Sequence, residues 1–534
     1  MAYSIDNDLS YDSRTLTHIW RQRVEESGDE PCVWFDESWL TWRELDRRSL
    51  AFSTRLAGAA IAPGERVCVL MENSPDTLVV LLAIWRRGLV AVPLSVQMVG
   101  PLLTDRLRSI GPAAVVVDAA RVDDLEAASD GIEYERFIGI DTAERDGAGA
   151  VPTYDSRYAD DAVVSPADTA LILFTSGSTG AAKGCVMSHH YAIYYAWVFW
   201  RYMAYGPDDV LYTCLPLNHC HALFSSWWPS VLAGGRFALG TRFSASGYWR
   251  EVAQSGATGC STIGMMTSIL LSRPVDEWES KVAVRIAHIA AEDAPVAKEF
   301  EQRFQLRAVT SRYGSTEAMV FPPLLEMPAV PGLIGPAPAD FDVALVDSDG
   351  RDVGDGTGEL LVRPRIPHTM FAGYHDRPDA TLEAFAGLWF HTGDLLRRDS
   401  IGHYWFVGRA SDTIRRRGEN VSAWEVERSV AQHPLVEQVA ALAIPSALNG
   451  EEICVVVVPR PGTDLSADAV DDHAAKMLPR YMRPDQIWIR HESLPRTQSD
   501  KVDKPALRTE YLAEPFAVTT TDPPATALSD GRVP

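Results

Sequence analysis

Lysine is nearly missing from this chain of 534 residues: there are six, and arginine supplies the remaining 43 of its 49 basic residues. A chain that uses arginine for general positive charge keeps its few lysines (Lys183, Lys281, Lys298, Lys476, Lys501 and Lys504) where a compact, flexible ammonium is needed. Positive charge as a whole is in deficit. A net charge of −23 excludes the basic face that a nucleic-acid partner requires. Close cysteine pairs are absent, and the seven cysteines are scattered and odd in number. That argues against a metal cage and fits a reducing compartment. No apolar run reaches membrane-spanning length; Thr77 to Leu94 comes nearest and is interrupted by Arg86 and Arg87. Met1 to Asp12 is polar and acidic, unlike a secretory leader. A soluble cytoplasmic protein is the simplest expectation. The chain also has no Gly-Lys pair, which excludes the Walker phosphate loop.

A different phosphate loop is present. Leu171 to Phe174 is an apolar run of strand type, and it leads into Thr175-Ser176-Gly177-Ser178-Thr179-Gly180 and then Lys183. Glycines let the backbone approach a ligand closely. Successive N–H groups with Ser and Thr hydroxyls make an anion-binding concavity, and the lysine adds a point charge. A flexible Ser/Gly linker would need neither the buried-type lead-in nor the terminal lysine. The stretch implies a nucleotide.

With its neighbours, this loop resembles the adenylate-forming superfamily of acyl-CoA synthetases and peptide-synthetase adenylation domains. Ala182 stands where proline is commoner in that family. The likeness continues in the family's order through Pro216-Leu217-Asn218-His219, Tyr313-Gly314-Ser315-Thr316-Glu317, Gly358-Glu359-Leu360 and Trp389-Phe390-His391-Thr392-Gly393-Asp394. It ends with Gly408-Arg409 followed by Gly418-Glu419-Asn420, and with Pro495-Arg496-Thr497-Gln498-Ser499-Asp500-Lys501. Asn218 departs from the family's aromatic residue, Ser411 stands at the hinge where Asp or Lys is commoner, and Asp500 precedes the lysine where the family has Gly. Wording at Arg242-Phe243-Ser244-Ala245, Gly264-Met265-Met266 and Arg416-Arg417-Gly418-Glu419-Asn420 is similar to the carnitine/crotonobetaine–CoA ligase-like branch.

The resemblance implies an ATP-dependent carboxylic acid–CoA ligase with ATP, Mg²⁺ and coenzyme A. Thr175, Ser176, Gly177, Ser178, Thr179, Gly180 and Lys183 would hold phosphates, with Tyr313 and Gly314 beside the nucleotide. Thr316 would donate to the α-phosphate. Glu317, with Thr175, would hold the metal, a hard cation suited to oxygen ligands and phosphates. Asp394 would accept the ribose hydroxyls, Arg409 and Phe406 would flank them, and Arg415 with Gly418 would face CoA phosphates or pyrophosphate. His219 would gate the carboxylate and the thiol. Lys501 would bridge carboxylate and α-phosphate in adenylation, with Lys504 as a possible substitute. Plainer readings stand beside these: Asp394 as a turn residue, His219 as a packed histidine, Lys501 as a solvated loop lysine. Two rival functions stay open. One keeps adenylation but changes the acceptor to a carrier-protein thiol, an amine, or nitrite for diazotisation; the other is an inactive nucleotide-binding homologue.

The length exceeds one compact core, so several domains are expected. Strand-like Arg66–Met71, Val90–Pro93 and Ala113–Asp118 alternate with a helix opened at Asn73-Ser74-Pro75, the pattern of parallel βαβ units. From Phe341, short strands separated by Asp-Gly turns suggest an antiparallel subdomain. Helices at Trp424–Gln432 and Ala467–Met477 with strands between them suggest a small α+β unit. The resulting expectation is an α/β protein. It has an N-terminal core over 1–409 of stacked mixed and parallel sheets, including an antiparallel β subdomain at about 335–409. A mobile α+β C-terminal domain spans 410–515, and a disordered tail covers 516–534. The partners expected are a small carboxylic acid, ATP and CoA, with no nucleic acid or membrane span and a homodimer as the assembly. Bulky Trp227, Met265 and Met266 favour a compact acid, and Arg312 is placed to pair with a second anionic group.

Overall fold

A computed structural model describes residues 4–59, 61–138, 161–175, 183–290, 294–310, 313–325, 327, 330–416, 419–445, 451–478, 480–497, 501–513 and 519–520. The chain divides into two compact units. The first comprises Met1–Thr175, Ala182–Val343 and Val362–Trp389; the second comprises Ser176–Ala181, Ala344–Leu361 and Phe390–Pro534.

The first unit is built on two sheets. One has the order Arg307–Thr310, Ile286–Ala290, Gly259–Ile263, Val210–Thr213, Arg236–Leu239, Pro31–Phe35, Ser38–Thr41. Its strands are parallel except for the closing hairpin between Pro31–Phe35 and Ser38–Thr41. The other runs Glu135–Ile138, Ala114–Val117, Arg66–Leu70, Val90–Pro93, Thr169–Thr175, Lys183–Ser188. It is parallel up to the last pair, which is antiparallel. The expected βαβ alternation is present: Ser74 caps the helix Pro75–Arg86, accepting from Thr77 N, with proline in the first turn. Every residue of that helix is buried, as its run without a polar face requires. The sequence came nearest to a membrane span here, and the run is core instead. Trp85 donates to Ala170 O at 2.9 Å and stacks on Trp227 at 6.0 Å. Among the described residues no helix is long and apolar enough to cross a membrane.

Asn73, a residue before the cap, has another task. Its Nδ2 donates to Leu215 O and Gly240 O, and its Oδ1 accepts from Leu217 N, at 2.9–3.1 Å. One buried amide thus ties the strand Arg66–Leu70 to the loop carrying His219, where a missing partner would leave buried polar groups unsatisfied.

Phe341–Val346, Thr357–Pro364, Phe390–Arg398 and His403–Arg409, which fall mostly in the second unit, lie in one sheet, the last two antiparallel. A further sheet, Val436–Pro445, Glu451–Pro459, Gln486–Ile489 and Thr519–Thr520, buries residues on both faces. On one face it packs helices Ala423–Ala431 and Ala467–Met477, and on the other Lys504–Ala513. The two-residue strand Thr519–Thr520 falls inside the expected disordered tail; the rest of that tail lies outside the described residues.

Candidate active site

In the first unit the site grows from the hairpin between Thr169–Thr175 and Lys183–Ser188. Thr175 and Lys183 are register partners at its open end, and Thr175 Oγ1 donates to Lys183 O at 3.4 Å. Ser176, Gly177, Ser178, Thr179 and Gly180 lie outside the described residues. The strand's outer edge pairs with the segment 372–375: Ala372 N donates to Val186 O, Val186 N to Gly373 O, and His375 N to Gly184 O. This pairing brings Tyr374 beside the loop, with Lys183 Nζ 4.8 Å from its ring centroid. Tyr374 OH donates to Glu317 Oε1 at 3.1 Å. One tyrosine therefore joins the lysine of the phosphate loop to the carboxylate of the Tyr-Gly-Ser-Thr-Glu motif.

That motif is a tight turn. Tyr313 and Phe321 exchange backbone hydrogen bonds, and Ser315 N donates to Ala318 O at 2.9 Å. Ser315 Oγ accepts from Glu317 N and Ala318 N. Gly314 is closely packed: a Cβ there would lie 2.6 Å from Met319 Sδ and 3.3 Å from Met319 Cα. Thr316 O accepts from Tyr191 OH at 3.1 Å, and Thr316 Oγ1 lies 3.9 Å from Cys220 Sγ. Tyr195 OH donates to the same sulfur at 3.7 Å. Cys220 is the neighbour of His219, so the histidine loop and the motif are packed together. Burial holds the His219 imidazole below its ordinary value, which keeps it neutral at pH 7. Thr175, Lys183, Tyr313, Gly314, Thr316, Glu317 and His219 are thus gathered in one unit.

His221–Trp227, following His219, forms a π-helix, a geometry often found at functional sites. Trp227, expected to narrow an acyl pocket, packs instead against Trp85 and Trp228 in the core. Met266 is buried; Arg312 and the Met265 side chain lie outside what is described. His221 stacks on His288 at 4.7 Å. Burial first, then His219, pushes His221 down to about 4.

The second unit holds the other expected residues. Asp394 and Arg409 face each other across antiparallel strands, and Arg409 Nε lies 3.1 Å from Asp394 Oδ1. Gly393, at φ +71°, makes the bend before Asp394. Its N–H donates to Glu359 Oε1, and His391 Nδ1 lies 3.1 Å from Glu359 Oε2. The Gly-Glu-Leu and Thr-Gly-Asp elements are therefore hydrogen-bonded to each other. Phe406 sits edge-on against Trp424 at 5.7 Å. In the basic run, Arg415 pairs in register with Asn420, and Gly418 lies outside the described residues. Arg416, between them in the chain, is buried, ion-paired with Asp485, and donates to Arg480 O. Lys501 is exposed on a turn where Thr497 N donates to Lys501 O and Lys501 N to Thr497 Oγ1. Asp500 lies outside the described residues. Lys504, the possible substitute for Lys501, is held by Glu427 and Asp412 at 2.8 and 3.2 Å.

Sequence reasoning missed Tyr374, Cys220 and Tyr191. Tyr191 is buried in the aromatic-rich helix His189–Tyr202, and its hydroxyl reaches the motif. Tyr374 carried no sequence signal, because strand pairing alone places it.

A hairpin open at Thr175 and Lys183, in one unit with a Thr-Glu turn packed on a histidine loop, is the arrangement expected of an adenylate-forming enzyme. The AMP-binding enzyme family model matches residues 20–375, and its C-terminal domain model matches 425–501; the chain belongs to this family. It is 30% identical to a feruloyl-CoA synthase of an Amycolatopsis species over 88% of this chain and 94% of that one. It is 27% identical to a crotonobetaine/carnitine–CoA ligase of Salmonella agona over 93% and 99% of the two chains. Among solved structures, ATP-bound MatB from Rhodopseudomonas palustris superposes with a TM-score of 0.82 at 25% identity, covering 93% of this chain and 99% of that one. The fold is shared too with the anthranilate CoA ligase AuaEII, at a TM-score of 0.83 and 19% identity.

Proposed function

We infer that the chain is an ATP-dependent carboxylic acid–CoA ligase that forms AMP and pyrophosphate. A carboxylate oxygen attacks the α-phosphorus of ATP; the bond to the bridging oxygen of pyrophosphate breaks, leaving an acyl-adenylate. The CoA thiol, losing its proton, then attacks the acyl carbon and AMP departs. The observation that supports this most directly is the Lys183–Tyr374–Glu317 link, because it fixes a phosphate-loop ammonium relative to a carboxylate and Thr316.

In this reading Thr316 donates to the α-phosphate and Lys183 neutralises the departing phosphates, contributions realised as charge develops. The half-buried Glu317 carboxylate, oriented by Tyr374, suits a Mg²⁺ that takes most of its ligands from phosphates and water, with Thr175 at the loop's start. Bound there, Mg²⁺ would neutralise phosphate charge. Neutral His219 shields the acyl carbon from water and yields to the thiol. Asp394 and Arg409 hold the ribose, with Phe406 beside them and Arg415 and Gly418 near the CoA phosphates. Lys501 brings carboxylate and α-phosphate together. The residues from 410 to 515 act as the swivelling domain on the core 1–409, turning at Ser411. The activity is cytoplasmic, which suits seven unpaired thiols, six of them buried.

The acid is tested with crotonobetaine, carnitine, malonate, ferulate, benzoate and decanoate. Pyrophosphate release that requires one of these acids, with a CoA thioester as product, is the expected result. Release without thioester would move the acceptor elsewhere, and ATP binding without release under any condition would overturn the reading. Light scattering on the same preparation checks the expected homodimer.

A further inference from the structure

A charge cluster in the second unit lies beside the turn that bears Lys501. Three residues beyond it, Lys504 opens the helix Lys504–Ala513. Its Nζ lies 2.8 Å from Glu427 Oε1 and 3.2 Å from Asp412 Oδ2. Glu427 Oε1 also accepts from Ala441 N at 2.8 Å, so the carboxylate is fastened to the central sheet. Asp412 closes the short turn Ala410–Asp412 that follows the strand His403–Arg409. Burial alone would lower the Lys504 ammonium, but Glu427 and Asp412 outweigh it and keep it charged. Breaking one member of such a half-buried cluster leaves a charge uncompensated.

Val502, beside the turn, packs against the buried cluster that includes Leu494 and Leu507. Arg496 and Val502 bridge the turn's base, and Thr497 N donates to Lys501 O at 2.7 Å. Asp503 N donates to Pro495 O, and Asp503 Oδ1 accepts from Ala506 N. These bonds are local to residues 495–507. Among the described residues, the Lys504–Asp412 pair ties that stretch to the segment after Arg409.

We propose that Lys504 is a positioning residue: with Glu427 it clamps the Lys501 turn to Asp412, so that the turn and the segment following Ser411 move as one body. This rests on the assignment of Lys501 to adenylation. A clamp of this kind fixes where Lys501 arrives when the hinge turns. Loosening it costs the step that needs Lys501 and spares the step that does not. The hinge residue sets the angle, and Lys504 converts that angle into a position for the ammonium.

The test compares Lys504→Met, Lys504→Arg, Asp412→Asn and Lys501→Ala in the full chain, using the fastest acid of the panel above. Lys504→Met is expected to slow acid-dependent pyrophosphate release by about 10²-fold, the scale of a misplacement near one ångström. Thioester formation from supplied acyl-adenylate stays unchanged, and Lys504→Arg recovers most of the loss. Asp412→Asn, which removes one carboxylate and keeps the side-chain shape, shows the same split in milder form. A second readout needs no acid: amide exchange at Thr497 and Lys501 should accelerate about tenfold in Lys504→Met, with the strands Val436–Pro445 and Glu451–Pro459 unaffected. Equal loss of both half-reactions, or unchanged exchange in the turn, overturns the clamp. If Lys501→Ala leaves pyrophosphate release intact, the assignment of Lys501 falls and the clamp's purpose with it. If Lys501→Ala abolishes release while Lys504→Met does not, the clamp alone falls.

Discussion

The two units hold their candidate site residues by different physical means. In the first, the residues sit on turns at strand ends and are fixed mainly by hydrogen bonds from neutral groups: Tyr374 to Glu317, Tyr191 to Thr316, Tyr195 to Cys220, and Asn73 to the histidine loop. In the second they are fixed largely by ion pairs: Arg409 with Asp394, Arg416 with Asp485, and Lys504 with Glu427 and Asp412. Directional neutral bonds suit a surface that has to hold shape while phosphates come and go. The comparison has exceptions, since Arg86 is paired with Asp46 and Asp161 in the first unit, but that cluster lies away from the motifs.

The sharpest test of the contrast is chemical. Lys501→Ala is expected to reduce adenylation by about 10²–10³-fold, the scale of removing a preorganised electrostatic group, while sparing thioester formation from acyl-adenylate. Loss of both steps would falsify its separate role. Next in size, Arg416→Ala should destabilise the second unit by about 3–5 kcal/mol, because Asp485 is left buried and unpaired. Chemical denaturation followed by peptide-level hydrogen exchange would locate the loss; a uniform loss across both units would break the comparison.

Asp394→Ala removes the proposed ribose acceptor and half of an ion pair. Its ATP dissociation constant should rise by about tenfold or more, matching the 1–3 kcal/mol of a charged hydrogen bond; titration calorimetry showing an unchanged constant would remove the ribose contact. Tyr374→Phe deletes one hydroxyl and keeps the ring over Lys183, so the loss is about 0.5–1.5 kcal/mol. It should appear as a weaker Mg²⁺ dependence of pyrophosphate release rather than as unfolding.

Acid separates the units more gently. Burial holds His189 at about 4, His190 at about 3 and His221 at about 4, all in the first unit. Folded pKa values below the ordinary 6.5 mean that the unfolded chain binds more protons as pH falls. The stability contributed by the neutral imidazoles is therefore complete above 6.5 and is lost between 6.5 and about 3. In thermal melts at pH 7 and 5, with proteolytic fragments mapped by mass spectrometry, the first unit should lose more stability than the second. Equal losses would contradict the assignment.

Much of this organisation was legible in the chain. Apolar runs bounded by Gly and Pro gave the strands Arg66–Leu70 and Val90–Pro93, and Ser74-Pro75 marked a helix start that Ser74 does cap. The short motifs in fixed order named the family that the comparisons bear out. Tertiary partners were not legible. Arg416 reads as one of three exposed arginines until Asp485, far along the chain, is placed against it. Trp227 reads as a pocket wall until Trp85 stacks on it. Tyr374 has no motif around it, because edge pairing with the strand Lys183–Ser188 puts it next to Glu317. Local pattern specifies elements; residues whose role depends on one distant contact stay hidden.

The central claim is that a carboxylate oxygen attacks the α-phosphorus of ATP. It is tested most directly by supplying the fastest acid of the panel with both carboxylate oxygens as ¹⁸O, together with ATP and CoA. The account predicts one ¹⁸O in each AMP released and none in pyrophosphate. Unlabelled AMP, or label in pyrophosphate, would contradict it.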